Sequence, residues 1–405
     1  MNTNGTPRAP VILMVLLLFS TQACTDIFLS GLPQIAREFG VSMGVSNLTI
    51  SVYNYSQALF VLFIGVLSDL WGRRSVLLSC LLAHVAASAW IALCTGMPAM
   101  IAMRAVQALG SAAVYIVLRL VIKDTLDKKA QIHATGLLVV GLVLSPILAP
   151  VLGAWIIQVS NWRNCFWAIA LFEIPLLAWA WLAIQESNHR QPAFRAAFSM
   201  RAHLLNYYGV LKDGYFLSLA LIVGAAFAAF YAFISISSFM YINQYGIRET
   251  NYAYLFIGIA LAYLLGNRVM SKLNANNLAP QKIVGLGMYT ALLGTALIVA
   301  QVLTRDALLA IGLVTVGTCL LRLATALINP PVQVMVTNHF QDQGAHALGL
   351  LTCIQYCFAG LGTMVVSGLS FPPSVNFTIS TFAFTALSLM GYLFASRKAH
   401  RMQLN

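Results

Sequence analysis

Gly65-Val-Leu-Ser-Asp-Leu-Trp-Gly-Arg-Arg-Ser75 is a short charged stretch set between two long apolar segments. Asp69, Arg73 and Arg74 are costly to carry into lipid, so the stretch is expected to be a tight loop at a membrane surface. Gly65 and Gly72 permit close backbone approach and positive φ. Asp69 is expected to hold a helix N-terminus, and Arg73 and Arg74 to stay in water beside anionic headgroups.

The composition around this stretch excludes a soluble protein. Of 405 residues, 60% are hydrophobic and 8% charged, with a mean hydropathy of +0.82. A helical span needs about 20 apolar residues, and lipid offers the backbone no hydrogen-bond partner, so the apolar segments must be helices. Twelve are expected, at approximately 10–35, 45–67, 75–95, 98–121, 133–158, 163–185, 215–242, 252–270, 282–303, 306–329, 345–369 and 376–396. The longest polar interruption, Glu186–Lys212, divides them into an N-terminal six-helix bundle (1–186), a cytoplasmic linker (187–212) and a C-terminal six-helix bundle (213–405).

The net charge of +12 is explained by orientation rather than by nucleic acid, for which no domain exists. With the N-terminus inside, Arg8, Arg73, Arg74, Lys123, Lys128, Lys129, Arg190, Arg195, Arg201, Lys212, Arg268, Lys272, Lys282, Arg397, Lys398 and Arg401 fall on the inner side. Only Arg37, Arg163, Arg248 and Arg305 fall outside. That asymmetry places both termini in the cytoplasm. All seven cysteines lie within expected spans without paired loop spacing, so neither a disulfide framework nor a zinc site is expected. Residues 11–19 after Arg8 mimic a signal peptide, but the segment runs on to Pro33 and eleven spans follow.

The opening stretch resembles the loop after the second span of the major facilitator superfamily, Gly-x-Leu-x-Asp-x-x-Gly-Arg-Arg/Lys. Gly65, Leu67, Asp69, Gly72, Arg73 and Arg74 fit, and Ser75 stands where a Pro often follows. Gly266-Asn267-Arg268 is a weaker echo one half-chain later. Ser145-Pro146-Ile-Leu-Ala149-Pro150-Val-Leu-Gly153 resembles the antiporter signature of drug exporters, especially the bicyclomycin/chloramphenicol-resistance branch, with Ala154 where that branch often has a second Gly. Thr25-Asp26-Ile-Phe-Leu-Ser-Gly-Leu-Pro33 resembles the same branch's first-span motif, with Ser30 for a Pro. Arg104-Ala-Val-Gln107-Ala-Leu-Gly110 resembles the superfamily's fourth-span motif, with Ala108 for a Gly. The resemblance implies two pseudo-symmetric bundles, with the glycines and Asp69 of the opening stretch, Arg73, Pro146, Pro150 and Gly153 in conformational gating. It also implies that Asp26 carries a proton and competes with substrate while Arg104 modulates its affinity.

Read from the residues alone, span 5 carries a small-residue stripe of Gly141, Ser145, Ala149 and Gly153, interrupted by the helix-bending Pro146 and Pro150. Span 8 carries a matching stripe of Gly258, Ala262 and Gly266, so the two could approach across the interface between halves. Five ionisable residues fall inside spans: Asp26, Arg104, Arg119, Glu173 and Arg322. Asp26 and Arg104 both lie roughly 9–14 Å below the outer surface. They could pair, either as a proton-exchanging site or as a static tie between spans 1 and 4. Arg119 is read as snorkelling to the inner surface. Glu173, beside Pro175, is expected to pair with a neighbouring helix or to remain protonated. Arg322 either snorkels or attracts an anion.

Tyr53, Asn54, Gln57, Gln107, Phe230, Tyr231, Arg322 and Gln355 are the candidate substrate contacts, aromatics with a few polar groups suiting adaptable binding of apolar ligands. No nucleotide loop, metal cluster or nucleophile–base arrangement is present, so the chain is read as no enzyme, without cofactor, and as driven by the proton gradient. The expectation is a monomeric protein of the bacterial cytoplasmic membrane that exports small molecules such as drugs in exchange for protons. Its partners would be the lipid bilayer, a small-molecule substrate and protons, with no nucleic acid. The alternative is export of an endogenous metabolite such as a carboxylate-rich siderophore.

Overall fold

A computed structural model describes residues 8–188, 199–341 and 343–404. Residues 189–198 of the expected linker, including Arg190 and Arg195, lie outside them, as do the side chains of Arg8 and Arg401. Among the described residues, twelve helices are long and apolar enough to cross a membrane. They are span 1 (Val11–Glu38), span 2 (Met43–Trp71), span 3 (Arg73–Leu93), span 4 (Met97–Thr125), span 5 (Lys128–Val159) and span 6 (Arg163–Ala183). The second half holds span 7 (Gly214–Gln244), span 8 (Glu249–Ala275), span 9 (Pro280–Leu303), span 10 (Ala307–His339), span 11 (Gly344–Gly368) and span 12 (Pro373–Ala399). A linker helix, Met200–Leu211, precedes span 7. The chain is thus the all-α, twelve-span membrane protein expected.

Aspartates mark where three of the helices begin. The Asp127 carboxylate accepts from Ala130 N at 2.8 Å, Asp213 from Tyr215 N and Phe216 N at 2.7 and 2.8 Å, and Asp306 from Leu308 N at 2.8 Å. Each satisfies backbone donors that a helix start leaves without a partner. Span 1 is not one continuous helix. It breaks directly after Asp26, passes through a short turn at Leu29–Gly31 and resumes at Leu32.

The chain forms two compact units, Met1–Gly31 with Leu59–Phe198, and Leu32–Ala58 with Ser199–Asn405. Residues 32–58, which chain order places in the first half, therefore pack with the second. The reason is visible side chain by side chain. Asn47 Nδ2 donates to Ser367 Oγ at 2.8 Å, the Tyr55 ring lies over Gly360 of span 11, and Gln34 Nε2 approaches Glu249 Oε1 at 3.4 Å.

Within the first unit, the span 5 stripe packs on span 1. A methyl group at Gly153 would strike the Ile27 carbonyl, and one at Gly141 would meet Val15 O at 2.6 Å. In the second unit, Gly266 packs on span 10, where an added Cβ would meet Leu323 O at 2.7 Å and Ala326 Cβ at 2.8 Å. Both stripes thus serve close approach inside their own unit. Pro146 and Pro150 stay inside a continuous helix, although each removes the donor that would meet the carbonyl four residues earlier.

Candidate functional site

The opening stretch is helical where a loop was expected. Span 2 runs through Asp69 to Trp71, and Gly72 alone joins it to span 3. Its φ of 97° is a conformation that favours glycine, and a Cβ there would collide with the Glu186 carboxylate. Glu186, not Asp69, covers the start of span 3, accepting from Arg73 N at 2.9 Å and Arg74 N at 3.2 Å. Asp69 instead grips Arg73, Oδ1 to Nη2 at 2.7 Å. Arg73 Nε also meets Asp124 Oδ2 at 3.2 Å, and its Nη1 donates to Ser68 Oγ at 2.6 Å. With these acceptors around it, Arg73 is 6% exposed, which corrects the expectation that it stays in water. Gly65 is an ordinary helical residue whose carbonyl accepts from Ser68 Oγ at 2.7 Å. Arg74 reaches the Trp181 carbonyl at 2.7 Å.

Asp26 ends the first helix of span 1 and is half-buried. Its Oδ2 accepts from Ser145 Oγ at 3.0 Å, so the residue before Pro146 in span 5 steadies the carboxylate. Arg104 of span 4 is wholly buried. Its Nη1 donates to the Cys24 carbonyl at 3.3 Å and to Gln107 Oε1 at 2.7 Å, and the guanidinium lies 4.9 Å from the Phe28 ring centre. Arg104 therefore grips the backbone two residues before Asp26. Gln107, expected among the substrate contacts, is fully buried and engaged at both ends of its amide, Nε2 donating to Ser88 Oγ at 2.7 Å. Its side chain braces Arg104 against Ser88.

The remaining candidates belong to the second unit. Tyr53, Asn54 and Gln57 are buried in span 2, and the Asn54 amide and Gln57 Nε2 have no hydrogen-bond partner among the described residues. Arg322 of span 10 lies between two rings, 4.0 Å from Phe230 and 4.3 Å from Tyr263. Cation–π contact with both rings holds the side chain among the helices. Phe230 and Tyr231 meet edge to face at 6.0 Å. Gln355 Nε2 donates to Asn329 Oδ1 at 2.8 Å, and Gln333 Nε2 approaches the same oxygen at 3.3 Å. Tyr263, Asn329 and Gln333 were missed in the sequence reading. The available signal was an amide directly before Pro330-Pro331, deep in an apolar run. Arg119 sits 4.1 Å from the Tyr115 ring. Among the described residues, no group of three or more His, Cys, Asp or Glu is gathered as for a metal.

Twelve apolar helices in two units, with charged side chains held inside the spans, define a multi-pass membrane protein. Residues 14–363 match the family described as the Major Facilitator Superfamily, and the chain belongs to it. A multidrug resistance protein, MdtL, of Escherichia coli O9:H4 (strain HS) is 28% identical over 228 residues, 56% of this chain and 57% of that protein. The chain thus matches little more than half the length of this curated relative. MdtL of Shigella flexneri matches to the same extent. Among solved structures, a bacterial homologue of the human lysosomal transporter Spinster, inward-facing and occupied, superposes with a TM-score of 0.71 at 16% identity, over 97% of this chain and 98% of that one. A point mutant of the nucleoside transporter NupG gives 0.74 at 12% over 96% and 99%. A D-xylose–proton symporter gives 0.72 at 14% over 96% and 97%. These likenesses carry the fold. The chain is accordingly a multi-pass protein of the bacterial cytoplasmic membrane.

Proposed function

We propose that this transporter exports small molecules such as drugs in exchange for protons, by alternating access, with both termini in the cytoplasm. The observation that carries the reading is the half-buried Asp26 carboxylate at a helix break, steadied by Ser145, with the buried Arg104 gripping the backbone two residues before it. A carboxylate in such a setting can change protonation as the helices around it move, because burial favours the neutral form and a nearby guanidinium the charged one. The relative named for multidrug resistance supports drugs as the cargo. The proton gradient supplies the energy with no bound cofactor, and the protein works as a monomer in the lipid bilayer.

A second reading, export of an endogenous metabolite bearing carboxylates, is favoured by Arg322 between Phe230 and Tyr263. A guanidinium is the side chain suited to a carboxylate, whose two oxygens it can meet with paired N–H donors. Deleting the gene and comparing drug susceptibility with the small molecules released into the medium separates the two. Increased susceptibility supports drug export, loss of a released carboxylate supports the second reading, and no change in either refutes export.

A further inference from the structure

Spans 3 and 6 meet at two ionisable groups that exchange at Asp26 does not use. His84 is fully buried and Glu173 is 1% exposed, with Nε2 3.4 Å from Oε1. His84 Nδ1 lies 2.8 Å from the carbonyl oxygen of Gln107. A carbonyl only accepts, so Nδ1 carries a hydrogen. This fixes the remaining proton count. With no proton between Nε2 and Oε1, a lone pair would face a carboxylate in a dry interior. With two, a buried imidazolium would face a neutral acid. Either leaves an uncompensated charge where charge is most costly, so the pair holds one proton, and it rests on Glu173, where both partners are neutral.

Few other groups reach the carboxyl. Ser20 and Cys24 of span 1 face it, and span 5 has no ionisable residue from Ala134 to Val159. Span 4 acts through Gln107, whose backbone oxygen holds His84 while its side-chain oxygen accepts from Arg104 at 2.7 Å. Ser88 closes the circuit, accepting from Gln107 Nε2 and donating to the His84 carbonyl at 2.8 Å. At 3.4 Å the His84–Glu173 contact exceeds a good hydrogen-bond length. Two apolar side chains would fasten spans 3 and 6 at less cost.

We infer that His84 and Glu173 form a second proton-binding site, whose proton exchanges with solvent when Gln107 moves with Arg104. On release the proton passes from the pair to an entering water and leaves the Glu173 carboxylate beside a neutral imidazole; uptake is the reverse. Because Arg104 also grips the backbone just before Asp26, its displacement disturbs both sites together. The purpose of the site rests on the proton-coupled reading, but its detection does not.

The test is pH-difference infrared spectroscopy of the full-length protein in lipid, with and without carboxyl-13C glutamate. The chain has four glutamates, Glu38, Glu173, Glu186 and Glu249, and Glu173 alone is fully buried. The expected result is a label-shifted carboxylic-acid band that grows as pH falls from about 9 to 6, above the range where exposed glutamates protonate. Glu173→Gln loses the band, Asp26→Asn keeps it, and His84→Gln moves its midpoint by about one pH unit or more. If Glu173→Gln fails to insert, the labelled wild-type protein and His84→Gln still decide. A label-shifted band absent at every pH, constant across the range, or retained in Glu173→Gln overturns the inference. The band without proton-coupled transport sinks the antiport reading and leaves this site standing, whereas transport without the band does the reverse.

Discussion

Replacing Glu186 by alanine asks whether one carboxylate from the end of span 6 holds the turn at Gly72. In the wild-type protein it accepts from Arg73 N at 2.9 Å, Arg74 N at 3.2 Å and Asn188 N at 2.9 Å, covering two of the backbone donors that the start of span 3 leaves open. A side-chain cap contributes about 1 kcal/mol, and a negative charge at a helix N-terminus about 0.3–1 kcal/mol more. Glu186 is exposed, so water replaces part of what it provides, and the net loss is about 1.4 kcal/mol, or tenfold in local opening. Hydrogen exchange read by mass spectrometry should show the amides of 73–76 exchanging about tenfold faster, while those of 84–93 are unchanged. Glu186→Gln should fall between the two, since its amide keeps one acceptor oxygen and loses the charge. Equal exchange at 73–76 in Glu186→Ala and wild type would refute the argument, because the turn would then be held without this carboxylate.

Three further outcomes follow from the same geometry. Gly153→Ala places a methyl group on the Ile27 carbonyl and should destabilise the packing of spans 1 and 5 by about 1–3 kcal/mol, read as a lower thermal midpoint in detergent. Gly136→Ala, where nothing lies within 4 Å, should leave the midpoint unchanged. At Asp213 burial pushes the carboxyl up, but hydrogen bonds from His339 and from the backbone N–H of Phe216 and Tyr215 together hold it below its ordinary 3.8. Its contribution is therefore complete above that value and lost as pH falls through the lower folded-state value; protection of the Tyr215 and Phe216 amides should fall only in that acid range, and Asp213→Ala should abolish that dependence. Arg322→Ala should reduce transport of anionic compounds about tenfold, as expected for loss of one charge-assisted contact, and spare neutral ones; equal loss of both would make the residue structural.

The twelve spans were legible because lipid forces every backbone donor and acceptor to be satisfied within the segment, leaving long apolar runs no alternative to helix. Their ends were less so. Span 10 was expected to stop near Pro330-Pro331, but runs to His339. Its neighbours supply the packing that local propensity lacks. Span 2 continues through Asp69 because Arg73 and Asp124 give the charged turn its partners, and Asp124 comes from another helix about fifty residues away in sequence. The same long-range assembly hid Glu186 as a cap and Gln107 as a brace. It also hid the pairing of His84 with Glu173, since no spacing in the sequence links span 3 to span 6. Asp26 and Arg104 stood out because a charge in an apolar run is costly wherever it falls.

The most direct measurement uses purified protein in proteoliposomes with an imposed pH gradient, comparing wild type with Asp26→Asn on a panel of drugs. Wild type should move drug against its concentration gradient only while the pH gradient lasts, and Asp26→Asn should lose that movement while still exchanging the same drug downhill. Full pH-driven accumulation by Asp26→Asn would contradict the account, because transport would then be driven without the carboxylate to which drug–proton exchange is assigned.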